Sequence, residues 1–264
     1  MIVLLAIICL PTSAVLNLNP SVRSQSLGYA AIVLDDDGSA IFCNPAALAA
    51  NGARFSLTHW LGGTNFGAAS VSLDKGIGLG LFYLNYGKLG RRGENGEYLG
   101  DFTPYDAFLT CGKSLRVARG TVLLGAALRG FASIIDDYHE YGFAGTAGVL
   151  TRLGPVRLGL KAENLGVELG GSSTLPARIG GGAGVTLGKG LKIALEGKVL
   201  NQQEANCGVE YSYENLSLRG GVRWLERFDY TGGFAYRVDE YEISYAFLLN
   251  EFGTSHAFGL GIDF

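Results

Sequence analysis

Apolar and polar residues alternate with a period of two along most of this chain. In residues 191–200, Leu191, Ile193, Leu195, Gly197 and Val199 fall on one face, and Lys192, Ala194, Glu196 and Lys198 on the other. The same two-faced pattern appears where Val156, Leu158, Leu160 and Ala162 oppose Arg157, Gly159, Lys161 and Glu163. It recurs where Leu216, Leu218, Gly220 and Val222 oppose Ser217, Arg219, Gly221 and Arg223, and where Tyr241, Ile243, Tyr245 and Phe247 oppose Glu242, Ser244 and Ala246. Successive side chains of a strand leave opposite faces of a sheet, so each segment reads as a strand with one greasy and one wet face. Helical periodicity is nearly absent beyond residue 52. The pattern predicts about fourteen strands, near 53–60, 64–73, 76–87, 105–116, 120–131, 141–152, 155–165, 177–188, 190–200, 205–213, 215–224, 229–237, 239–249 and 255–264.

A soluble sandwich with one solvated face would also alternate. Three features favour a membrane-spanning barrel. Strands of roughly ten residues suit a tilted bilayer crossing, and an even strand number suits antiparallel closure. The links predicted to be longest (87–104, 132–140 and 166–176) all follow odd-numbered strands, whereas tight links such as 74–75 and 153–154 follow even ones. Long loops on one rim and short turns on the other are a barrel's asymmetry. Proline falls at strand starts or in links (Pro104, Pro155, Pro176) and never inside a predicted strand, where its missing N–H would break a ladder. The expected fold class is therefore all-β, a transmembrane antiparallel β-barrel. A secreted sandwich would instead pack its apolar faces on each other.

Composition sharpens the picture. Glycine occupies 41 of 264 positions, charged residues make up 17%, and the net charge is −3. Such a weak charge leaves no footprint for nucleic acid. Residues 2–10 are uniformly apolar and are followed by Thr12 and Ala14 at the −3 and −1 positions of a cut after Ala14, the outline of a secretory signal peptide over 1–14. Three cysteines beyond it, Cys43, Cys111 and Cys207, are too scattered for a disulfide framework or a metal knuckle. Tyr and Trp (among them Trp60, Tyr83, Tyr86, Tyr105, Tyr211, Tyr213, Trp224, Tyr230, Tyr236 and Tyr241) crowd predicted strand ends, where apolar surface meets water.

Catalytic and metal-binding patterns fail on inspection. Asp35-Asp36-Asp37-Gly38 lacks the EF-hand's glycine at position six and glutamate at position twelve, so it reads as a turn whose carboxylates cap backbone N–H groups. The glycines of 180–184 continue into a strand rather than a helix, which argues for close approach of another backbone and against a phosphate loop. His59, His139 and His256 share no ligand spacing, although closure would bring His59 and His256 together. Ser255 and His256 are sequence neighbours and point to opposite faces. No enzyme and no cofactor is expected. The chemical content is the polar face itself: Arg157, Lys161, Glu163, Arg178, Lys192, Glu196, Lys198, Glu210, Arg219, Arg223 and Glu242. Their mixed signs predict a lumen of paired charges packed around a plug.

Several segments carry a resemblance. Residues 26–48 do not alternate; Gly28, Ala30 or Ala31, Asp36, Ser39, Ala40, Asn44, Pro45, Ala46 and Leu48 follow a G-x-A…D-D-x-S-A-x-x-x-N-P-A-x-L run. This resembles the N-terminal segment of the PorV/PorQ family and of FadL-type transporters. Further matches in order are Asn164-Leu165-Gly166, Leu175-Pro176 with Arg178, Gly208-Val209-Glu210-Tyr211 with Leu218-Arg219, and Phe252-Gly253-Thr254-Ser255-His256. The terminal alternation Phe258, Leu260, Ile262, Phe264 looks like the signal read by the outer-membrane barrel-assembly machinery. The PorV/PorQ resemblance implies a signal peptide (1–14), a hatch (15–52) and a barrel wall (53–264) in a bacterial outer membrane. It also implies a transport or secretion-accessory role, with an envelope or secretion protein as partner and lipid around the wall. The mature chain of about 250 residues is shorter than the type IX secretion members. The alternative is a FadL-like passive channel for hydrophobic small molecules. Such a channel calls for an apolar pocket beside the hatch and a lateral gap in the wall, whereas a non-conducting accessory protein calls for a lumen filled by charge pairs with no continuous path.

Overall fold

A computed structural model describes residues 12–34, 37–48, 51–169 and 174–264. The wall strands are β1 (Gly52–His59), β2 (Asn65–Leu73), β3 (Ile77–Asn85), β6 (Tyr105–Val117), β7 (Val122–Ile135), β8 (Tyr138–Leu153), β9 (Val156–Leu169), β10 (Arg178–Leu187), β11 (Leu191–Val199), β12 (Glu204–Tyr213), β13 (Leu216–Trp224), β14 (Phe228–Val238), β15 (Tyr241–Asn250) and β16 (Gly253–Asp263). Each pairs antiparallel with its neighbours, and β1 pairs with β16 to close a fourteen-stranded barrel. Two short strands, β4 (Leu89–Arg92) and β5 (Tyr98–Phe102), form a separate hairpin within the link from β3 to β6. The alternation did not register that hairpin, because its strands contain Gly90, Gly100 and charged residues with no buried face.

The greasy face looks outward. Leu195, Leu218, Ile243, Phe258 and Leu260 are all more than half exposed on the outside of the ring, and Ile193 is half-buried there between Val185 and Val209. Ala194, Glu196 and Lys198, their sequence neighbours, are buried within the lumen. An uninterrupted outer belt of this kind has hydrocarbon as its solvent, and only a closed ring satisfies every backbone N–H and C=O there. The fold is a transmembrane antiparallel β-barrel. Tyr213, Tyr236 and Tyr241 lie exposed toward the rim where β1 begins and β16 ends (the termini rim of the wall), with Tyr83, Trp224 and Tyr230 toward the far rim. Trp60 and Tyr86 depart from that belt and pack against the buried core.

The rims differ from expectation in one respect. The predicted long link at 132–140 is a tight turn at Asp136 and Asp137, with Asp136 at φ +57°, and Asn164-Leu165-Gly166 does not end its strand. The residues assigned to loops continue the ladder instead, so β7, β8 and β9 run to 14, 16 and 14 residues. At about 3.4 Å per residue and a tilt near 40°, the longest rises roughly 40 Å and overtops the apolar band of ~25 Å. The wall has a single register shift, between Gly145 and Ala147. There Asn164 adopts φ +60° and turns its amide into the lumen.

The outward face makes a direct prediction. Leu195→Arg, at the middle of β11, is expected to destabilise the folded barrel by about 2–4 kcal/mol in bilayer unfolding titrations, and Ala194→Ser on the lumen side by far less. Equal tolerance at the two positions would contradict the assignment of the faces.

Candidate functional site: the plugged lumen

Residues 12–34 and 37–48 fill the lumen. The segment contains α1 (Val22–Ser26), α2 (Ala40–Cys43) and 3₁₀ turns at Thr12–Asn17 and Pro45–Ala47. Local capping explains these short pieces. Ser21 accepts from the Ser24 N–H at 3.2 Å and starts α1. Asn44 Oδ1 accepts from the Ala46 N–H at 3.1 Å, while its Nδ2 donates to the Ile32 carbonyl at 3.1 Å, tying two parts of the plug together. Pro45 supplies the fixed φ at the first turn. Asp37 accepts from the Ser39 backbone N–H (2.7 Å) and hydroxyl (2.6 Å). Asp36 lies outside the described residues, as do residues 1–11 of the expected signal peptide.

Wall glycines let the plug lie backbone to backbone on the strands. A Cβ on Gly125 would sit 2.1 Å from the Ala46 nitrogen, and one on Gly148 would sit 1.9 Å from Asn44 Oδ1. Gly28 of the plug needs both properties: its φ is +62°, and a Cβ there would meet the Val222 nitrogen at 2.7 Å. Ile32 and Val33 rest over Gly180, Gly182 and Gly184 of β10, so the glycine run accommodates the plug.

The lumen divides into two sectors. On β1–β7 an aromatic row is set among small polar side chains such as Ser56, Thr58, Ser70 and Thr110: Phe82 stacks on Phe108 at 4.5 Å, with Phe66 and Trp60 continuing the row. The Arg129 guanidinium lies 4.1 Å over the Phe108 ring and donates to the Leu16 carbonyl at 3.0 Å. On β9–β14 the sector is ionic. Glu163 joins Lys161 (2.7 Å) and Arg178 (3.0 Å); Glu204 joins Arg178 (3.2 Å) and Lys198 (2.9 Å); Glu196 pairs with Lys198 at 3.1 Å. Arg223 pairs with Asp229 at 2.5 Å and stacks over Tyr29 at 4.4 Å.

Glu210, 2% exposed, is the hub between plug and wall. Arg23 of α1 donates to it twice, Nε to Oε2 and Nη2 to Oε1, both at 2.9 Å. Arg219 Nε and Lys192 Nζ each donate to it at 2.9 Å. Other plug contacts with the wall are Ile32 N–H to Glu196 (2.9 Å), Gly28 N–H to the Thr231 hydroxyl (2.8 Å) and Arg54 Nε to Asp37 (3.2 Å). Asn164 donates to Asn17 at 3.0 Å and Arg157 to the Val33 carbonyl at 3.4 Å.

The eleven charges singled out in the sequence all turn to the lumen side. Most join the networks just described. Glu242 stands apart with Arg237 (3.0 Å) at the termini rim. Sequence reasoning missed Arg23, Arg129, Glu204 and Asp229. The two acids fall at predicted strand starts, and their parity was the available signal: Glu204 shares the phase of Glu210, and Asp229 that of Thr231. Arg23 and Arg129 had no signal, since one is in the plug and the other is surrounded by apolar residues. Phe258, Leu260 and Phe264 are exposed on the outer face, with Ile262 half-buried. His59 and His256 are direct register partners across the closure, but His59 bonds Asn65 at 2.9 Å and His256 bonds Tyr245 at 2.8 Å. Among the described residues no group of three His, Cys, Asp or Glu is arranged to hold a metal.

Two cavities flank the plug. The far one, about 260 Å³, has Leu16, Leu18, Phe42, Trp60, Leu84 and Tyr86 on one side and Lys161, Arg178, Glu204 and Arg223 on the other. The near one, about 430 Å³, opens toward the termini rim and is lined, Ala235 apart, by polar and charged residues.

A fourteen-stranded barrel plugged by its own N-terminal segment has the fold of FadL-like outer-membrane channels. The chain is similar to the TodX deltaS2S3 mutant monoaromatic hydrocarbon channel (14% identity, TM-score 0.64, covering 92% of this chain and 99% of that one). It is also similar to the Pseudomonas putida toluene transporter TodX (13%, 0.62, 91% and 96%) and to a Pseudomonas aeruginosa FadL homologue (11%, 0.63, 92% and 98%). No family model and no curated protein matches the sequence.

The hub generates a prediction. Glu210→Gln strands three cations around a neutral amide, and removing one partner of a buried ion pair costs about 3–5 kcal/mol. The expected result is a lowered unfolding midpoint in detergent and protease cleavage within 15–51. A variant as stable and protease-resistant as the parent would remove Glu210 as the anchor.

Proposed function

We propose that this protein is an outer-membrane channel for hydrophobic small molecules, working without catalysis. The observation that carries this reading is the far cavity, whose aromatic and aliphatic wall lies against the plug and within reach of the far rim. Ligand pockets combine such an apolar lining with a few placed polar groups. The solved proteins with the same fold, a monoaromatic hydrocarbon channel and a toluene transporter, support the substrate class. A solute would rest on Trp60, Leu84 and Phe42, and its passage requires the plug to shift, because Arg23, Ile32 and Gly28 hold it to the wall.

Trp60 offers the test. In a Trp224→Phe background it is the remaining tryptophan. Titration with toluene is expected to change Trp60 emission saturably, and Leu84→Glu, which places a charge in the apolar wall, is expected to abolish both the response and the protein-dependent uptake of toluene by cells. No emission change, together with uptake equal to that of cells lacking the protein, would refute the channel.

A second reading, a PorV/PorQ-type accessory protein for secretion, is favoured by a different observation. The wall ladder is paired through β1, β2 and β3 without a register shift, and the ionic sector fills the lumen with charge pairs. On that reading, purification from native membranes yields a stoichiometric envelope or secretion protein and no conductance in planar bilayers. Conductance without a co-purifying protein would exclude it.

A further inference from the structure

The near cavity has a chemistry that hydrophobic transport does not use. Its plug-facing floor is built around Glu210, whose two oxygens are both fully occupied. Oε1 accepts from Arg23 Nη2 and Lys192 Nζ, and Oε2 accepts from Arg23 Nε and Arg219 Nε. Leaving Arg23 aside, Lys192 and Arg219 are two cations whose ion-pair partner among the described residues is this one carboxylate. Arg219 Nη1 is buried with no acceptor among the described residues. The Lys192 side chain is about one-third exposed and borders the cavity, so its ammonium has donors to spare. Ser212 and Ser217 line the same wall and bond each other at 2.8 Å, an arrangement that leaves one hydroxyl proton free. The facing wall is neutralised differently: Arg54 pairs with Asp37 and Asp263, and Arg237 with Glu242 and Asp263. Among the described lining residues, the other acid is Glu214, in the turn at the mouth.

We propose that this vestibule binds an oxyanion, with Lys192 and Arg219 as its charged ligands and the Ser212–Ser217 pair as a neutral donor. Charge-assisted hydrogen bonds from guanidinium and ammonium to carboxylate or phosphate are the strong class, and a recessed site with excess donors strengthens them further. The ligand is a solute or headgroup bearing a carboxylate or a phosphate and entering from the termini rim. Because the site sits on the opposite side of the plug from the apolar cavity, it stands whatever solute that cavity takes.

Isothermal titration of the full-length barrel in neutral detergent, at pH 7 and at ionic strength held constant with chloride, tests the assignment with sodium phosphate and sodium acetate as probes. Saturable binding of either probe is expected. Lys192→Met is expected to weaken it at least about tenfold and Lys192→Arg to retain it. Lys192 is peripheral to the Arg23–Glu210 contact, and circular dichroism of Lys192→Met checks that the barrel is intact. Binding of phosphate alone assigns phosphorylated ligands, and binding of acetate as well extends the site to carboxylates. Absence of saturable binding for both oxyanions, or binding indifferent to Lys192→Met, overturns the proposal.

Discussion

Eight register pairs from Gly52–Asp263 to His59–His256 join the first wall strand to the last. Hydrocarbon offers no hydrogen bonds, so a sheet bathed in it cannot keep free edges, and this seam is what makes the outer apolar belt tolerable at all. Its cost appears on the inside. Closure at fourteen strands leaves a lumen too wide for wall side chains to fill, and the sequence answers with residues 12–48. That segment cannot contribute strands, because every wall edge is already taken. It must satisfy its backbone through caps, 3₁₀ turns and side chains reaching in from the wall, as Glu196, Thr231 and Asn206 do.

The two lumen sectors solve the filling problem by different physics. Against β1–β7 dispersion and aromatic contacts, which lose little when one apolar body replaces another, act beside single hydrogen bonds such as Arg129 to the Leu16 carbonyl. Against β9–β14 the plug is held by networks in which Glu163 and Glu204 each serve two cations and Glu210 three, and such networks are costly to leave half-made. If the proposed channel reading holds, the asymmetry gives the plug a fixed side and a side that a hydrophobic solute would share. It also reconciles the channel fold with a lumen that is closed in this conformation: the ionic sector is anchorage, and the apolar sector is where substitution by a solute is cheap.

Much of the wall was legible because period-two alternation is the direct consequence of a sheet between two solvents. The faces of 191–200 and 216–224 follow from it position by position. Strand ends were less legible. Residues 132–140 lose the apolar signal because β7 and β8 leave the hydrocarbon there, while the ladder, which depends on backbone alone, goes on. The β4–β5 hairpin was invisible for the same reason. In the plug, Asn44-Pro45-Ala46 could be read as a cap, but nothing local to Gly125 or Gly148 says that a distant backbone presses on it. Arg23 and Glu210 are 187 residues apart, and no short-range pattern links them.

The plug precedes β1 in the chain, and its contacts reach to strands near the other end, Gly28 to Val222 and Ser26 to Thr231. Contacts of such sequence separation carry the largest loop-closure penalty and form late. The seam between β1 and β16 is later still, since it needs every intervening hairpin. An N-terminal segment already lodged against the half-built sheet is enclosed when the ring shuts, whereas one left outside would have to thread a finished pore. Chronology is thus written into the chain order: the contents come first, and the container is curled around them.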